Sequence, residues 1–131
     1  MKREAILITG ATGLLGSAMV NHFANSGEYV VATSRSMENL LSLKEGLGNI
    51  KNNVEIVCQD LMEEDSSSKL RAKLENKNIN ISKIINNARA LENLKQNENG
   101  VVSDNVFLDE IKLDVIIPYR LVNEFAQSIN H

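Results

Sequence analysis

The chain carries three regularly spaced glycines in one segment, Thr9-Gly10-Ala11-Thr12-Gly13-Leu14-Leu15-Gly16. This segment follows an apolar run over residues 5–9 and precedes a helical pattern that begins at Leu15. Between a strand and a helix, Gly10 can turn the chain sharply, Gly13 lets the backbone approach an anion, and Gly16 permits close packing. The spacing therefore predicts a pyrophosphate-binding turn at a helix N-terminus, where amides and the helix dipole attract negative charge.

Short apolar runs alternate with helical patterns along the rest of the chain. This order is typical of α/β proteins, in which crossover helices join parallel strands. We expect four strands, at residues 5–9, 29–33, 54–58 and 82–86. We expect helices after Leu15, after an N-cap at Ser36 and around residues 66–74, then a polar loop over 91–104 and a long helix over 104–129.

The apolar patterns of the first and last helices predict which sides these helices bury. The first should end at Gly27 and face the core with Leu15, Ala18, Met19 and Phe23. The last is apolar on more than one side, with one side formed by Ile111, Val115, Val122 and Phe125 and the others by Leu113, Ile116 and Ile117. Pro118 should kink this last helix or mark where it starts.

Composition and charge restrict the possible functions. With 43% hydrophobic and 24% charged residues, residues 1–131 are expected to form one globular domain. The net charge of -3 argues against a nucleic acid or a membrane as partner. The single cysteine, Cys58, allows no internal disulfide or metal cluster, so we predict no metal site and a cytoplasmic location. The N-terminal apolar run is interrupted by glycines before it could span a bilayer.

The TGxxGxxG spacing over residues 9–16 resembles the glycine motif of extended and atypical short-chain dehydrogenases/reductases. Classical members more often show TGxxxGxG, and Leu14 stands where their middle glycine would be. The resemblance implies a doubly wound Rossmann sheet with strand order 3-2-1-4, and hydride transfer between a nicotinamide and a small carbonyl or alcohol substrate. It also implies that the cofactor's pyrophosphate region is held by Gly10, Thr12, Gly13, Leu14, Leu15 and Gly16.

Ser34 and Arg35, at the end of the second strand, bear on the choice of cofactor. Dehydrogenases specific for NAD(H) place an Asp or Glu near this point to bind the ribose 2′-hydroxyl. Ser34 occupies that position here, and the Arg35 guanidinium could bind a 2′-phosphate through paired charged hydrogen bonds. The sequence therefore predicts NADP(H) rather than NAD(H), the alternative being that Arg35 is an ordinary surface residue.

Two further landmarks follow the third and fourth strands. In the resembling family the acid at Asp60 accepts a hydrogen bond from the adenine amino group and its neighbour Leu61 covers the ring, although an Asp here could also cap a helix. Asn86-Asn87-Ala88 resembles the start of the family's NNAG signature, which implies that Asn87 and Ala88 line the ribose and brace the sheet. Arg89 stands in place of the signature's glycine, so the loop that follows should take a different path.

The catalytic residues of the resembling family are only partly represented. Asp114 lies about where the family carries a catalytic asparagine, but it lacks the amide donor and adds a charge, and a plain surface role is the alternative. The family's tyrosine and lysine, spaced YxxxK, are absent, because Tyr29 is followed at that spacing by Thr33 and Tyr119 by Asn123. We therefore expect the chain to be the N-terminal, cofactor-binding part of a larger enzyme.

Two other functions compete with this interpretation. The TGxxGxxG spacing is also typical of extended members such as nucleotide-sugar epimerases and dehydratases, although Asn86-Asn87-Ala88 is of the classical style. A non-catalytic NADP-binding module would explain the missing tyrosine and lysine. Under any of these functions, the many apolar residues over 104–129 predict burial on two sides, and the resemblance implies homo-oligomers formed through this helix.

Overall fold

The computed structural model describes residues 1–89 and 100–129, and its centre is a parallel sheet of four strands. The strands are β1 (Arg3–Ile8), β2 (Val30–Ser34), β3 (Val54–Cys58) and β4 (Ile79–Ile85). They pair in the order β3-β2-β1-β4. The predicted fold class and strand order are confirmed.

Helices connect the strands and cover both faces of the sheet. They are α1 (Leu14–Asn25), α2 (Met37–Glu45), a 3-10 helix (Gly48–Asn53), α3 (Ser66–Asn76), α4 (Asp104–Ile111) and α5 (Ile117–Glu124). A π-helical turn, Lys112–Ile116, joins α4 to α5 and is called the π segment below. Most of the polar loop predicted over residues 91–104 lies outside the described residues. Within residues 1–89 and 100–129, no helix combines the length and the apolar character that crossing a bilayer requires.

The central strands form from continuous apolar runs because both of their faces are buried. Ile6 and Ile8 of β1 pack with α1 and α2 on one side, in a cluster that includes Val20, Ala24 and Leu40. Ala5 and Leu7 point to the other side, in a cluster with residues of α3 and of the π segment and α5, namely Leu70, Leu74, Leu113, Ile117 and Leu121. Apolar side chains thus hold helices on both faces and fix the sheet between them.

The local end signals predicted from the sequence are present. The Ser36 hydroxyl accepts a hydrogen bond from the Asn39 amide at 3.2 Å, so Ser36 caps α2. Gly27 follows the end of α1 with a φ of +88°, a conformation that glycine adopts cheaply. Strand β4 begins earlier than expected, at Ile79, because this segment pairs with Arg3 of β1.

The predicted buried face of α1 is wrong. The helix buries Gly16, Val20 and Ala24, whereas Leu15 is 64% exposed. Of the other predicted residues, Ala18 is exposed, and Met19 and Phe23 are only partly buried. The small residues at spacing i, i+4 and i+8 let the helix axis lie close to the sheet, which turns the larger side chains of the predicted stripe outward.

The predicted side assignment of the last helix is wrong at Phe125, although the helix itself is present as predicted. The buried stripe is Leu113, Ile117, Leu121 and Phe125, and three of the residues assigned to one side with Phe125 are exposed, namely Ile111, Val115 and Val122. The π segment explains the difference, because its i→i+5 hydrogen bonds shift the phase of the helix that follows. Pro118 lies in the first turn of α5, so it marks a helix start.

Candidate functional site

Most of the residues singled out in the sequence gather at one edge of the sheet. The glycine turn follows β1, Ser34 ends β2, Asp60 follows β3 and Asn87 follows β4. Since the strands are parallel, these four points are carboxyl ends that lie side by side. In open α/β sheets, ligands bind in the crevice beyond this edge.

The structural reason for a glycine differs among the three glycine positions of the turn. Gly10 has a φ of +59°, and a Cβ there would lie 2.8 Å from the Cα of Ala88. A Cβ on Gly16 would collide with the carbonyl oxygen of Gly10. Gly13, by contrast, has an ordinary φ of -73°, and the nearest atom to its Cβ would be 3.6 Å away. The fold requires glycine at the first and third positions but not at Gly13.

Gly13 is the N-cap of α1, and no side chain caps this helix end. The first amides of a helix have no partner within the helix, and the dipole adds partial positive charge at this end. Leu14 and Leu15, in the first turn, are 93% and 64% exposed, so this end of the helix is open to solvent. The turn thus presents an exposed group of amide donors suited to an anion.

Ser34 is tied to the glycine turn. Its hydroxyl lies 3.1 Å from the hydroxyl of Thr12, and it accepts a hydrogen bond from the Ser36 amide at 3.3 Å. Arg35 is exposed beside it, with its carbonyl oxygen 3.5 Å from the Cys58 thiol. The structure therefore brings the expected 2′-phosphate residues next to the expected pyrophosphate turn.

Asp60 is the second residue of the loop between β3 and α3. Its Oδ1 accepts a hydrogen bond from the Met62 amide at 2.9 Å, which shapes the loop, whereas the N-cap of α3 is Asp65, so Asp60 does not cap a helix. Leu61 is only 7% exposed and belongs to the hydrophobic core. Its side chain therefore does not cover an open cleft, which departs from the role that the family resemblance implied.

Sequence reasoning missed a buried polar group under this loop. Gln59 is 3% exposed, and its Oε1 accepts a hydrogen bond from Lys73 Nζ at 2.9 Å while its Nε2 donates to the Asp60 carbonyl at 3.0 Å. On the exposed side of the loop, the hydrogen bond from Lys69 holds the pKa of Glu63 below its ordinary value. No sequence signal distinguishes Gln59 from an ordinary loop glutamine, because its partner comes from α3.

Asn87 braces the sheet at the end of β4. Its Nδ2 donates to the carbonyls of Thr9 and Gly10 at 3.3 and 3.2 Å. The Thr9 hydroxyl in turn accepts hydrogen bonds from the amides of Asn87 and Ala88 at 2.9 and 3.0 Å. The site thus depends on Thr9, which the sequence analysis did not select, although a buried threonine at a strand end was a usable signal.

Asp114 lies at a cleft of about 310 Å³ beyond β4. The cleft is lined by Asn86, Asn87, Ala88, Arg89, Leu113, Asp114 and Pro118. Arg89 has no positive φ, so this loop follows a path that a glycine-specific conformation would not give. Within residues 1–89 and 100–129, neither Arg89 nor Asp114 forms an ion pair within 4.0 Å. The structure therefore places Asp114, the candidate catalytic residue, next to the loop that carries Asn87.

A larger cavity of about 430 Å³ lies away from this edge, beside the start of β4. Three of its charged lining residues already pair with one another, since Arg71 contacts Glu75 at 3.1 Å and Glu124 at 3.4 Å. No group of His, Cys, Asp and Glu able to hold a metal ion occurs in the described ranges. The edge with the glycine turn is therefore the stronger candidate site.

Comparison with known proteins gives a consistent result. A sequence profile described as short chain dehydrogenase matches residues 4–129. An uncharacterized short-chain type dehydrogenase/reductase of Sinorhizobium fredii is 36% identical over 85 residues, which cover 65% of this chain and 15% of that protein. An NADP-dependent 3-hydroxy acid dehydrogenase of Escherichia coli is 34% identical over 83 residues, which cover 63% of this chain and 32% of that enzyme.

Solved structures share the fold at lower identity. A metagenomic short-chain oxidoreductase in complex with NADP has a TM-score of 0.82 and 19% identity, with 98% of this chain and 57% of that chain covered. A 3-ketoacyl-(acyl-carrier-protein) reductase of Brucella melitensis complexed with NADH has a TM-score of 0.80 and 20% identity, with 97% and 50% covered. The chain thus spans about half the length of these solved relatives.

Proposed function

The chain belongs to the short-chain dehydrogenase family, and from this we propose that its glycine-turn edge binds NADP(H) for hydride transfer between the nicotinamide and a carbonyl or alcohol substrate. The bound cofactor would supply or accept the hydride. The residues of this chain hold the cofactor by its pyrophosphate, adenine and ribose. The substrate groups and the acid/base chemistry belong to the rest of the protein in this proposal.

The main support for this proposal is the glycine at position 13. Glycine at this position relieves no backbone strain and no steric clash, in contrast to Gly10 and Gly16. A residue with a side chain would, however, stand directly before the uncapped amides of α1. A close-approaching anion explains why this position is glycine, and a dinucleotide pyrophosphate is the anion that this type of turn binds.

The other contacts follow from the positions of the neighbouring residues. Thr12, Leu14 and Leu15 would line the pyrophosphate, and Ser34 with Arg35 would select the 2′-phosphate. Beyond the carboxyl end of β3, the Asp60 carboxylate would accept a hydrogen bond from the adenine amino group. Asn87 and Ala88 would line the ribose next to the cleft that holds Asp114. The supporting geometry is the hydrogen bonding that ties Ser34 to Thr12 and Asn87 to Thr9 and Gly10.

The preference for NADP(H) rests mainly on Arg35 and on the absence of a carboxylate at Ser34. A relative that is named NADP-dependent supports it. The shared fold alone is neutral, because one structural neighbour holds NADP and another NADH. A non-catalytic NADP-binding module is a second candidate, favoured by the absence of a YxxxK sequence from these 131 residues.

We expect the 131-residue chain to turn over no substrate when NADPH is bound, because neither of its two tyrosines is followed by a lysine at the family's spacing. Such a tyrosine supplies the general acid in the resembling enzymes. Purified protein of verified mass would be mixed with NADPH and a panel of carbonyl compounds, and absorbance of the reduced nicotinamide followed. Oxidation of NADPH that depends on both protein and carbonyl would contradict this expectation.

We also propose that the last helices mediate self-association. They expose a continuous apolar stripe on the side away from the core, formed by Leu108, Ile111, Val115, Tyr119 and Val122. Their i+3 and i+4 spacing is that of a helix-packing seam. Contiguous exposed apolar surface of this kind marks an interaction site, and we expect the isolated chain to form dimers or larger species through it.

The Val115→Glu substitution should shift this association toward monomer, because Val115 is 58% exposed in the middle of the stripe and a buried unpaired charge is costly. Leu41→Glu is a matched control, since Leu41 is 53% exposed on α2, away from the stripe. Sedimentation velocity at high micromolar concentration would measure the three proteins. A wild-type chain that sediments as a monomer under these conditions would overturn the proposal.

A further inference from the structure

Lys112 reaches from the π segment to the loop that carries Asp60. Its Nζ donates a hydrogen bond to the Met62 carbonyl at 2.8 Å. The amide of the same residue, Met62, donates to Asp60 Oδ1 at 2.9 Å. Met62 is therefore held at both of its peptide groups, and Lys112 is linked to the Asp60 carboxylate through one residue.

This link spans a longer stretch of sequence than the other contacts of the loop, including those from Lys73 on α3. Ser66 donates to the Leu61 carbonyl at 2.8 Å, and Gln59 donates to the Asp60 carbonyl at 3.0 Å, but both donors lie within five residues of their acceptors. Lys112 is fifty residues away from Met62 in sequence. It thus ties the loop to a separate part of the fold, whereas the other two bonds only shape the loop internally.

The π segment that supplies Lys112 also lines the cleft beyond β4. Asp114, two residues after Lys112, faces that cleft together with Asn87. A π turn inside a helix is uncommon and frequently occurs at a functional site. The π segment thus contacts the loop on the adenine side of the candidate site through Lys112, and it borders the cleft beyond β4 through Asp114.

The consequence for Asp60 follows from hydrogen-bond geometry. An ionised carboxylate has two acceptor oxygens. With Oδ1 engaged by the Met62 amide, the carboxylate is held in one orientation and Oδ2 is left for a ligand. Loss of the Lys112 bond would release the Met62 carbonyl, and with it the backbone angles that aim the Met62 amide at Asp60.

We propose that Lys112 is a positioning residue for adenine recognition: through Met62 it orients the Asp60 carboxylate toward the 6-amino group of the cofactor's adenine. This rests on the proposed function, in which Asp60 contacts adenine. Lys112 does not touch the cofactor in this arrangement. Its effect should therefore appear as a loss of base discrimination and not as a uniform loss of cofactor affinity.

The test compares NADPH with its hypoxanthine analogue, in which a carbonyl oxygen replaces the 6-amino group. Calorimetric titration of the wild-type chain should show NADPH binding roughly 10-fold or more tightly, the scale of one charge-assisted hydrogen bond. Lys112→Met keeps the aliphatic stem but removes the ammonium, and its ratio should fall to about one. Lys112→Arg restores a donor and should recover most of the discrimination. Lys51→Met, on the 3-10 helix at the opposite end of β3, should leave the ratio unchanged.

Amide hydrogen exchange gives a second readout that needs no cofactor. The Met62 amide should exchange slowly in the wild type and at least about 10-fold faster in Lys112→Met, while amides of β1 stay unchanged; Lys112→Gln takes the same test if the Met variant does not fold. Equal base discrimination or equal Met62 exchange in wild type and variant would overturn the role of Lys112. NADPH binding without any base discrimination in the wild type would overturn the adenine contact and this inference, but would leave the pyrophosphate site standing.

Discussion

Replacing Gly16 with alanine should destabilise the chain by about 3 kcal/mol or more, at the upper end of the cost of overpacking. The new Cβ would collide with the Gly10 carbonyl oxygen and lie 2.9 Å from the Cα of Ala11. Both neighbours are backbone atoms of the turn, so relief requires α1 to move off the sheet. Thermal unfolding followed by circular dichroism should show a melting temperature lower by roughly 10 °C or more.

Gly46→Ala is the matched control for this substitution. Gly46 has a φ of -71°, and the nearest atoms to its Cβ would be 3.5 Å away. Alanine fits there without strain, so the free energy of unfolding should stay within about 1 kcal/mol of the wild type. If the Gly16 and Gly46 variants melt at the same temperature, close packing at Gly16 is not what holds α1 against the sheet.

The second large effect concerns the choice between cofactors. We expect the wild-type chain to bind NADPH about 10- to 150-fold more tightly than NADH, the equivalent of about 1.5–3 kcal/mol for one charged hydrogen bond. Arg35→Ala should remove most of this ratio by weakening NADPH alone. Ser34→Asp should reverse it, because a carboxylate repels the 2′-phosphate and accepts hydrogen bonds from the ribose hydroxyl.

Lys51→Ala removes a positive charge at the opposite end of the sheet and separates a local effect from one of net charge. Its NADPH-to-NADH ratio should equal that of the wild type. Calorimetric titration of both cofactors at one salt concentration gives the ratio directly. Equal affinities of the wild type for NADPH and NADH would refute the assignment of Arg35.

The sheet could be predicted from the sequence because its strands are buried on both faces and appear as continuous apolar runs. The run Val54–Cys58 corresponds residue for residue to β3. The helix faces could not be predicted in the same way. The face of α1 depends on the contact between Gly16 and Gly10, and the phase of α5 depends on the π segment, which has no simple signature in the sequence.

In the candidate site, too, some residues could be predicted from the sequence and others could not. Residues in the glycine turn and at the ends of β2, β3 and β4 could be selected because their position relative to a strand indicates where they lie. The supporting residues Gln59 and Lys112 could not, since their partners come from helix α3 or from a loop fifty residues away. For Leu61 the resemblance implied contact with the adenine, whereas the structure places its side chain in the core.

The most direct test of the central claim is a calorimetric titration of NADPH into the wild type, Gly13→Asn and Gly13→Asp. Asn and Asp are both favourable N-cap residues, so both variants should be at least as stable as the wild type. If the α1 N-terminus binds the pyrophosphate, the carboxylate of Gly13→Asp occupies and repels that anion, and NADPH should bind roughly 10- to 150-fold more weakly than to Gly13→Asn. Equal NADPH affinity of the wild type and Gly13→Asp, or no binding of NADPH by the wild-type chain, would contradict the account.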